Sequence, residues 1–280
     1  MNGKLQLVGL RRKDIDEAAA LAAAAFLHSP AYLYIFEHLG DARRLEALTW
    51  FFRKNFMLRL SAVRCAFSED VNNPPRMVCC FMLQNPGTPT ISSWALIKSG
   101  LLTMPWRFGM EAFRRLLKVK HYHEEIEHEF LKARENDGDF TRWCSLERMV
   151  VHPAVQGTGV GSRCLADALA DVALSEFGVQ LCTQDLRNVT FYKRLGFKEI
   201  SQDSQYFRRR DSSQNINYFM VKEGAGGEGG EAAAGGTRER LHEETDPGKW
   251  GYRLGNPRFV IGVCVVYLGV VFVRARWVKV

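Results

Sequence analysis

The sequence has no arrangement of cysteines typical of a metal site or a disulfide framework. Its 7 cysteines are an odd number without regular spacing, so neither paired zinc ligands nor a set of bridges is indicated. Most of them lie in apolar runs such as residues 77–82, where a thiol behaves as a small buried hydrophobic group. The pattern therefore predicts free thiols in a reducing compartment.

A secretory signal and a strong charge of one sign are also missing. The first residues lack a basic stretch followed by a long apolar segment, so a cytoplasmic location is expected. The formal net charge is only +7, an excess that favours small anionic ligands or a lipid surface and does not predict a nucleic-acid partner. The arginine triplet at 208–210 is compatible with a phosphate contact or with a solvated loop.

Hydrophobic periodicity predicts a mixed α/β protein with a hairpin near each end, unlike a uniform repeat of strand and helix. Strands are predicted at residues 4–10, 63–67, 76–83, 143–151, 180–183, 197–200 and 216–221. Helices are predicted from Asp14 to about His28, in two pieces divided at Gly40 between 29 and 60, through most of an insertion at 88–136, and at 159–177 and 188–195.

Three regions differ in composition along the chain. Residues 1–222 are predicted to form one α/β domain, 223–257 a glycine-rich flexible linker, and 258–280 an apolar segment with basic flanks. The uncharged run 259–273 would span about 22 Å as a helix, less than the roughly 30 Å hydrocarbon core of a bilayer. The segment is compatible with a tail anchor in an intracellular membrane, a valine-rich strand or a reading-frame artefact.

A glycine-rich turn carries the densest chemical signal. Gly157, Gly159 and Gly161 alternate between a predicted strand and an amphipathic helix, so the backbone can approach a ligand closely while the helix directs its first amides at the same point. This arrangement predicts an anion site suited to a pyrophosphate. The spacing fits neither the dinucleotide fingerprint nor the P-loop, which weakens a nucleotide-binding interpretation without excluding it.

Two segments resemble motifs of a known superfamily. Residues 146–162, which include Gln156, Gly159 and Gly161, resemble motif A of the GNAT superfamily of acyl-CoA-dependent N-acetyltransferases, and residues 188–197 resemble its motif B. The resemblance extends over residues 4–222. It implies an α+β fold with a central mixed, mostly antiparallel twisted sheet, splayed strands at the acyl-CoA site and flanking helices. It also implies acetyl-CoA as cosubstrate and no metal.

The resemblance assigns roles to particular residues. The backbone of the incoming strand would hold the pantetheine arm, the glycine turn the diphosphate, and the side chain of Asn188 the pantetheine amides. The residues concerned are Met149, Val150 and Val151 on the strand, and Gln156, Gly157, Thr158, Gly159, Val160, Gly161 and Ser162 in the turn. Tyr192 would protonate the departing thiolate, for which a phenol is chemically suited. Glu147 would accept the proton of the amine, unless it is solvated or paired with Arg148.

The insertion contains a stretch rich in histidine and glutamate at residues 121–129. His123 and His128 are five residues apart and do not share a helical face, so a solvated charged face is predicted in preference to a metal site. A narrower similarity to puromycin N-acetyltransferase-like members implies that His121 and His123 line the acceptor site. Tyr32, Tyr34 and Phe36 would form the opposite wall, or else a packed core.

The sequence thus predicts an enzyme that acetylates a primary amine by direct attack, with a small-molecule acceptor favoured. A non-catalytic CoA-binding or membrane-tethered interaction module is the alternative, and retention of Tyr192 favours the enzyme. The expected acceptor walls, residues 29–60 and 88–136, carry no further motif. Small amines, polyamines, amino acids and protein N-termini all remain open as acceptors, as does the oligomeric state.

Overall fold

The computed structural model describes residues 5–68, 76–88, 91, 93–136, 142–174, 177–203 and 216–224. Within these residues the chain forms one seven-stranded sheet flanked by helices. The strands are β1 (Leu7–Gly9), β2 (Val63–Ser68), β3 (Arg76–Gln84), β4 (Trp143–Val151), β5 (Gly178–Thr183), β6 (Lys198–Asp203) and β7 (Asn217–Lys222). The helices are α1 (Ile15–Phe26), α2 (Pro30–Ile35), α3 (Asp41–Leu58), α4 (Ser93–Ser99), α5 (Met104–Phe108), α6 (Met110–Asn136), α7 (Val160–Leu174) and α8 (Leu186–Lys193).

The sheet has the order β1-β2-β3-β4-β5-β7-β6. Only β4 and β5 are parallel neighbours, and the other adjacent strands run antiparallel. The consecutive strands β2 and β3, and likewise β6 and β7, pair antiparallel where the sequence predicts hairpins. The mixed, mostly antiparallel sheet predicted from the sequence is therefore confirmed.

Helices cover both faces of the sheet. On one face α1, α2, α3, α5 and α6 pack in a cluster with strand residues such as Met82. On the other face α7 and α8 pack in a second cluster with residues such as Phe81. Because both faces are covered, β3 is buried along nearly its whole length, which explains its continuous apolar sequence.

Element boundaries differ from the prediction where side chains decide them. β5 begins at Gly178, two residues before the predicted start, where it pairs with Trp143 on β4. A glycine is needed at this position because an added Cβ would lie 2.5 Å from Cε3 of the Trp143 ring. α8 begins at Leu186 because the Asp185 carboxylate accepts a hydrogen bond of 2.9 Å from the amide of Arg187 and caps the helix.

The described cysteines are free, and all but Cys182 are buried. Burial raises the pKa of Cys65 to about 11, which keeps this thiol protonated at neutral pH. The linker from residue 225 onward, the apolar C-terminal segment and the 208–210 triplet lie outside the described residues, so their interpretation stays a prediction. No helix in the described part of the chain combines the length and hydrophobicity needed to cross a membrane.

Candidate active site

The two parallel strands at the centre of the sheet separate part-way along their length. Their pairing joins Trp143–Ser145 to Gly178–Gln180 and then stops, although both strands continue beyond it. On its other side β4 stays paired with β3 as far as Val151. The backbone of β4 after Ser145 therefore has no β5 partner, and this is the splay predicted for the pantetheine arm, with Met149, Val150 and Val151 along its edge.

A bulge lies in the middle of β4. Glu147 pairs with Met82 and Val150 with Cys80, so two residues of β4 oppose one residue of β3. One of the two, Arg148, has φ = 54°. This backbone conformation is energetically unfavourable for any residue other than glycine. Strained backbone of this kind is concentrated at functional sites, and the bulge places Arg148 and Glu147 at the mouth of the splay.

The glycine turn follows directly after β4. Gly157 and Gly159 have φ values of 78° and 83°, and an added Cβ at either position would lie more than 4 Å from its neighbours, in open space. These two glycines are thus required by the backbone conformation. Gly161 is required by packing, because its added Cβ would lie 2.7 Å from Cγ2 of Val151.

The turn delivers the N-terminus of α7 to the end of the splay. The first helical hydrogen bond joins the amide of Arg163 to the carbonyl of Gly159 at 3.0 Å. The amides of Val160, Gly161 and Ser162 precede it and face away from the helix, as in any first turn. Together with the positive end of the helix dipole, these amides form the kind of site that favours an anion, as the sequence predicts for this turn.

Part of the turn is occupied by its own hydrogen bonds. The amides of Gln156 and Thr158 donate to the carbonyls of Pro153 and Val155 at 3.3 and 3.4 Å. The Gln156 side chain donates to the carbonyl of Val151 at 3.0 Å and ties the turn to the strand. Among the residues assigned to the diphosphate, Gln156 and Thr158 are therefore better suited to shaping the turn than to contacting the anion.

One cavity of about 1580 Å³ contains the splay and the glycine turn. It is lined by residues from every part of the predicted site, including Met149, Gly159, Asn188 and Tyr192. A pocket for one small ligand usually measures about 300–1,000 Å³. The cavity therefore has room for a cofactor arm together with a second molecule.

Tyr192 lies on α8 at the wall of this cavity and is 8% exposed. Its ring packs edge-on against Phe191 and Phe197, with centroid distances of 5.1 and 5.6 Å. Burial raises the pKa of Tyr192 above its ordinary value, and the nearby thiol of Cys79 adds to the rise. The side chain is consequently a protonated phenol at all physiological pH values and is able to donate.

Asn188 lies one turn before Tyr192 on the same helix. Its amide nitrogen donates to Oγ1 of Thr183, at the end of β5, at 3.2 Å. Because Asn188 and Thr183 both line the cavity, their polar groups border the space between the splayed strands. This position is compatible with the contact to the pantetheine amides that the sequence predicts.

Glu147 also lines the cavity, and its carboxylate accepts hydrogen bonds from two side chains. Gln84 on β3 donates to one carboxylate oxygen and Arg148 donates to the other. The side chain of Glu147 keeps 31% of its surface exposed. The pairing with Arg148 that the sequence left open is therefore present, and the carboxylate still reaches the cavity.

The inward face of α6 adds two side chains, His123 and Glu127, one helical turn apart. Burial lowers the pKa of His123, and its Nε2 is buried without a partner among the described residues. Burial raises the pKa of Glu127, helped by the charge of Glu147 and opposed by the hydrogen bond from Gln180. The solvated face predicted for residues 121–129 is thus wrong for these two positions.

The other half of the same stretch is solvated as predicted. His121 is 73% exposed, lies 3.1 Å from Glu125 and does not line the cavity. Of the two histidines predicted to line the acceptor site, only His123 lines the cavity. Within the described residues no cluster of three metal-binding side chains is found.

The aromatic residues of α2 divide in the same way. Tyr32 lines the cavity, and burial raises its pKa while the charge of Arg148 opposes the rise. Tyr34 and Phe36 belong to the packed core instead. The guanidinium of Arg115 lies 4.8 Å from the ring centroid of Tyr34. The predicted aromatic wall therefore consists of Tyr32.

Gln84, Glu127 and Gln180 are site residues that the sequence did not reveal. They lie on β3, α6 and β5 and meet only through the sheet order and the packing of α6 across it. Part of the signal was present for Glu127, because it follows His123 by four residues and so shares its helical face. No local pattern marks either glutamine.

Comparison with known proteins agrees with this geometry. The family model described as an acetyltransferase (GNAT) domain matches residues 119–199. These residues include the C-terminal part of α6, the splayed strands, the glycine turn and Tyr192. This part of the chain is therefore similar to the GNAT acetyltransferase domain. A search of curated protein sequences finds no match, and the similarity to the puromycin N-acetyltransferase-like subgroup stays a prediction.

Solved GNAT structures share the fold at low sequence identity. A polyamine N-acetyltransferase of Drosophila melanogaster is 12% identical with a TM-score of 0.52, over 79% of this chain and 100% of its own. An acetyltransferase of Corynebacterium glutamicum related to a histone acetyltransferase is 15% identical with a TM-score of 0.54, over 80% and 98%. Arylalkylamine N-acetyltransferase 2 of Aedes aegypti is 10% identical with a TM-score of 0.50, over 79% and 99%.

Proposed function

We propose that this GNAT protein transfers the acetyl group of acetyl-CoA to a primary amine by direct attack within a ternary complex. The observation that carries the proposal is the splay between β4 and β5, which opens into one cavity lined by the glycine turn, Tyr192 and Glu147. That cavity is large enough for both substrates at once. A small amine as acceptor is supported by the fly and mosquito enzymes of the same fold, whose names refer to polyamines and arylalkylamines.

The cofactor would lie along the splayed edge of β4. The backbone of residues 149–151 would hydrogen-bond the pantetheine arm in the way that it would otherwise bond a neighbouring strand. The side chain of Asn188 would contact the arm from α8. The diphosphate would rest on the amides of Gly157 and of residues 159–162, where the open glycines leave space and the helix dipole is favourable. Arg194, exposed at this end of the cavity, could add charge.

The proposed reaction uses one proton acceptor, Glu147, and one proton donor, Tyr192. An acceptor that enters as an ammonium first gives one proton through Glu147 to solvent. The neutral nitrogen then attacks the thioester carbonyl carbon, the carbon–nitrogen bond forms and the carbon–sulfur bond breaks. Glu147 takes the proton from the nitrogen, and Tyr192 gives its phenolic proton to the departing sulfur, so the products are the N-acetyl amide and free CoA thiol. Both side chains then exchange their protons with solvent.

Glu147 is the better proton acceptor of the two groups on this wall. Its carboxylate is partly exposed to the cavity, whereas Nε2 of His123 has almost no accessible surface. The lowered pKa of His123 keeps its ring neutral at pH 7. We therefore assign His123 to the wall beside Glu147, where a neutral ring does not repel an incoming ammonium.

The test is acetyl transfer by the purified full-length chain. Acetyl-CoA is incubated with a mixture of primary amines, and release of free thiol is measured together with the mass of the products. Amine-dependent thiol release with a product heavier by one acetyl group supports the proposal. Stabilisation by CoA without transfer to any amine would favour the non-catalytic module, and stabilisation by ATP or NAD but not by CoA would overturn CoA binding.

A further inference from the structure

The acidic side chains of the cavity are not equivalent in charge. Four of them line it: Glu124, Glu127, Glu147 and Asp185. Ion pairs occupy three, since Glu124 pairs with Lys120, Glu147 with Arg148 and Asp185 with Arg187. Glu127 receives only the neutral amide of Gln180 among the described residues. Of the four carboxylates that the described residues place in the cavity, Glu127 is thus the one without an ion pair.

The position of Glu127 makes this missing cation significant. The side chain is partly buried on the inward face of α6, and Glu147 lies near enough to act on it electrostatically. A carboxylate in such surroundings is destabilised unless a positive charge joins it. An ammonium group is the cation that the proposed reaction brings into this cavity.

Part of the cavity wall is an apolar patch. The insertion contributes Leu96, Leu101 and Leu102, and the first half of α6 contributes Phe113 and Leu116. All five are only partly buried, so they keep apolar surface available. Such surface is stabilised by covering it with a hydrophobic group, at roughly 25 cal/mol for each Å² removed from water.

We propose that the acceptor is a primary amine with a single positive charge and an apolar alkyl or aryl body, with Glu127 binding the ammonium and Leu96, Leu101 and Leu102 covering the body. This inference rests on the proposed function and specifies its acceptor. A polyamine would bring two or more cations to a cavity with one uncompensated carboxylate. An amino acid would place its carboxylate near Glu127 and Glu147, where two negative charges oppose it.

The first experiment is an acceptor panel with saturating acetyl-CoA. Hexylamine and 2-phenylethylamine represent the proposed class, ethylamine lacks the apolar body, putrescine carries two charges, and glycine carries a carboxylate. We expect kcat/KM for the first two to exceed that of the others by about tenfold or more, because binding removes their apolar bodies from water and brings neither a second positive charge nor a carboxylate into the cavity. Faster acetylation of putrescine or glycine would overturn the inference and leave the proposed function intact. Transfer to no amine at all would remove both.

The second experiment uses matched variants on one helix each. Glu127→Gln should raise KM for hexylamine about tenfold and leave KM for acetyl-CoA unchanged, whereas Glu125→Gln, on the exposed face of α6, should change neither. Leu96→Ser should raise KM for hexylamine and not for ethylamine. Its neighbour Ile97, which does not line the cavity, is the control as Ile97→Ser. Equal effects of Leu96→Ser and Ile97→Ser would contradict the assigned wall, and so would an unchanged KM in Glu127→Gln.

Discussion

The two sides of the cleft are built in different ways. The cofactor side is made of backbone from one continuous stretch, residues 149–162, where the splayed edge of β4 runs into the glycine turn. The proposed acceptor side is made of side chains from α2, β3, α4 and the turn after it, α6, β4 and β5, which are far apart in the sequence. The first side can bind the constant part of acyl-CoA through peptide groups. The second can change its acceptor without disturbing the first.

Removing the hydroxyl group of Tyr192 should have the largest effect on the reaction rate, because this group is proposed to protonate the leaving thiolate. Tyr192→Phe should lower kcat about 100-fold, the lower end of what a general acid contributes, with little change in either KM. Steady-state kinetics with each substrate varied in turn measures this. The control is Tyr218→Phe, since Tyr218 is buried in the same cluster but does not line the cavity. Equal losses in both variants would mean that Tyr192 acts through packing alone.

Glu147→Gln should follow, with kcat/KM for the amine reduced about 10- to 100-fold at neutral pH, because the variant cannot take the proton. The loss should shrink as the pH is raised, since more of the amine is then already neutral in solution. A pH profile of kcat/KM from neutral to alkaline pH measures this. A loss that stays constant over that range would assign Glu147 to substrate positioning.

The cofactor side is best tested at Gly161. Gly161→Ala places a methyl group 2.7 Å from Cγ2 of Val151, so α7 must move away from β4. We expect a loss of about 1–3 kcal/mol of stability, typical of overpacking, and a KM for acetyl-CoA that rises more than the KM for the amine. The control is Gly9→Ala, where an added Cβ meets nothing within 4 Å. A rise confined to the amine KM would contradict the division of the cleft.

The same division explains what could be predicted from the sequence. The glycine turn was recognisable from its spacing along the chain, and the strands from their periodicity. Tyr192 and the mostly antiparallel sheet were implied by the resemblance to a known family. Gln84, Glu127 and Gln180 were not, because their meeting depends on the order of strands and on the face that α6 presents to them. Residues 121–129 were expected to be solvated throughout because charge alone does not distinguish the two faces of a helix that crosses a cavity.

The smallest effect should appear in the stability of Glu127→Gln. Burial and the charge of Glu147 raise the pKa of Glu127 in the folded state, so the ionised side chain opposes folding at neutral pH. This penalty falls as the pH drops through the raised pKa, because the folded protein then holds the proton more tightly than the unfolded chain.

Glutamine lacks the penalty, so the variant should be as stable as the wild type at neutral pH, or more stable by up to about 1 kcal/mol. The difference should vanish in mildly acidic solution, as thermal unfolding without ligands would measure. A variant that is less stable at neutral pH, by an amount that persists on acidification, would show that Glu127 supports the fold and is not held ready for a cationic acceptor.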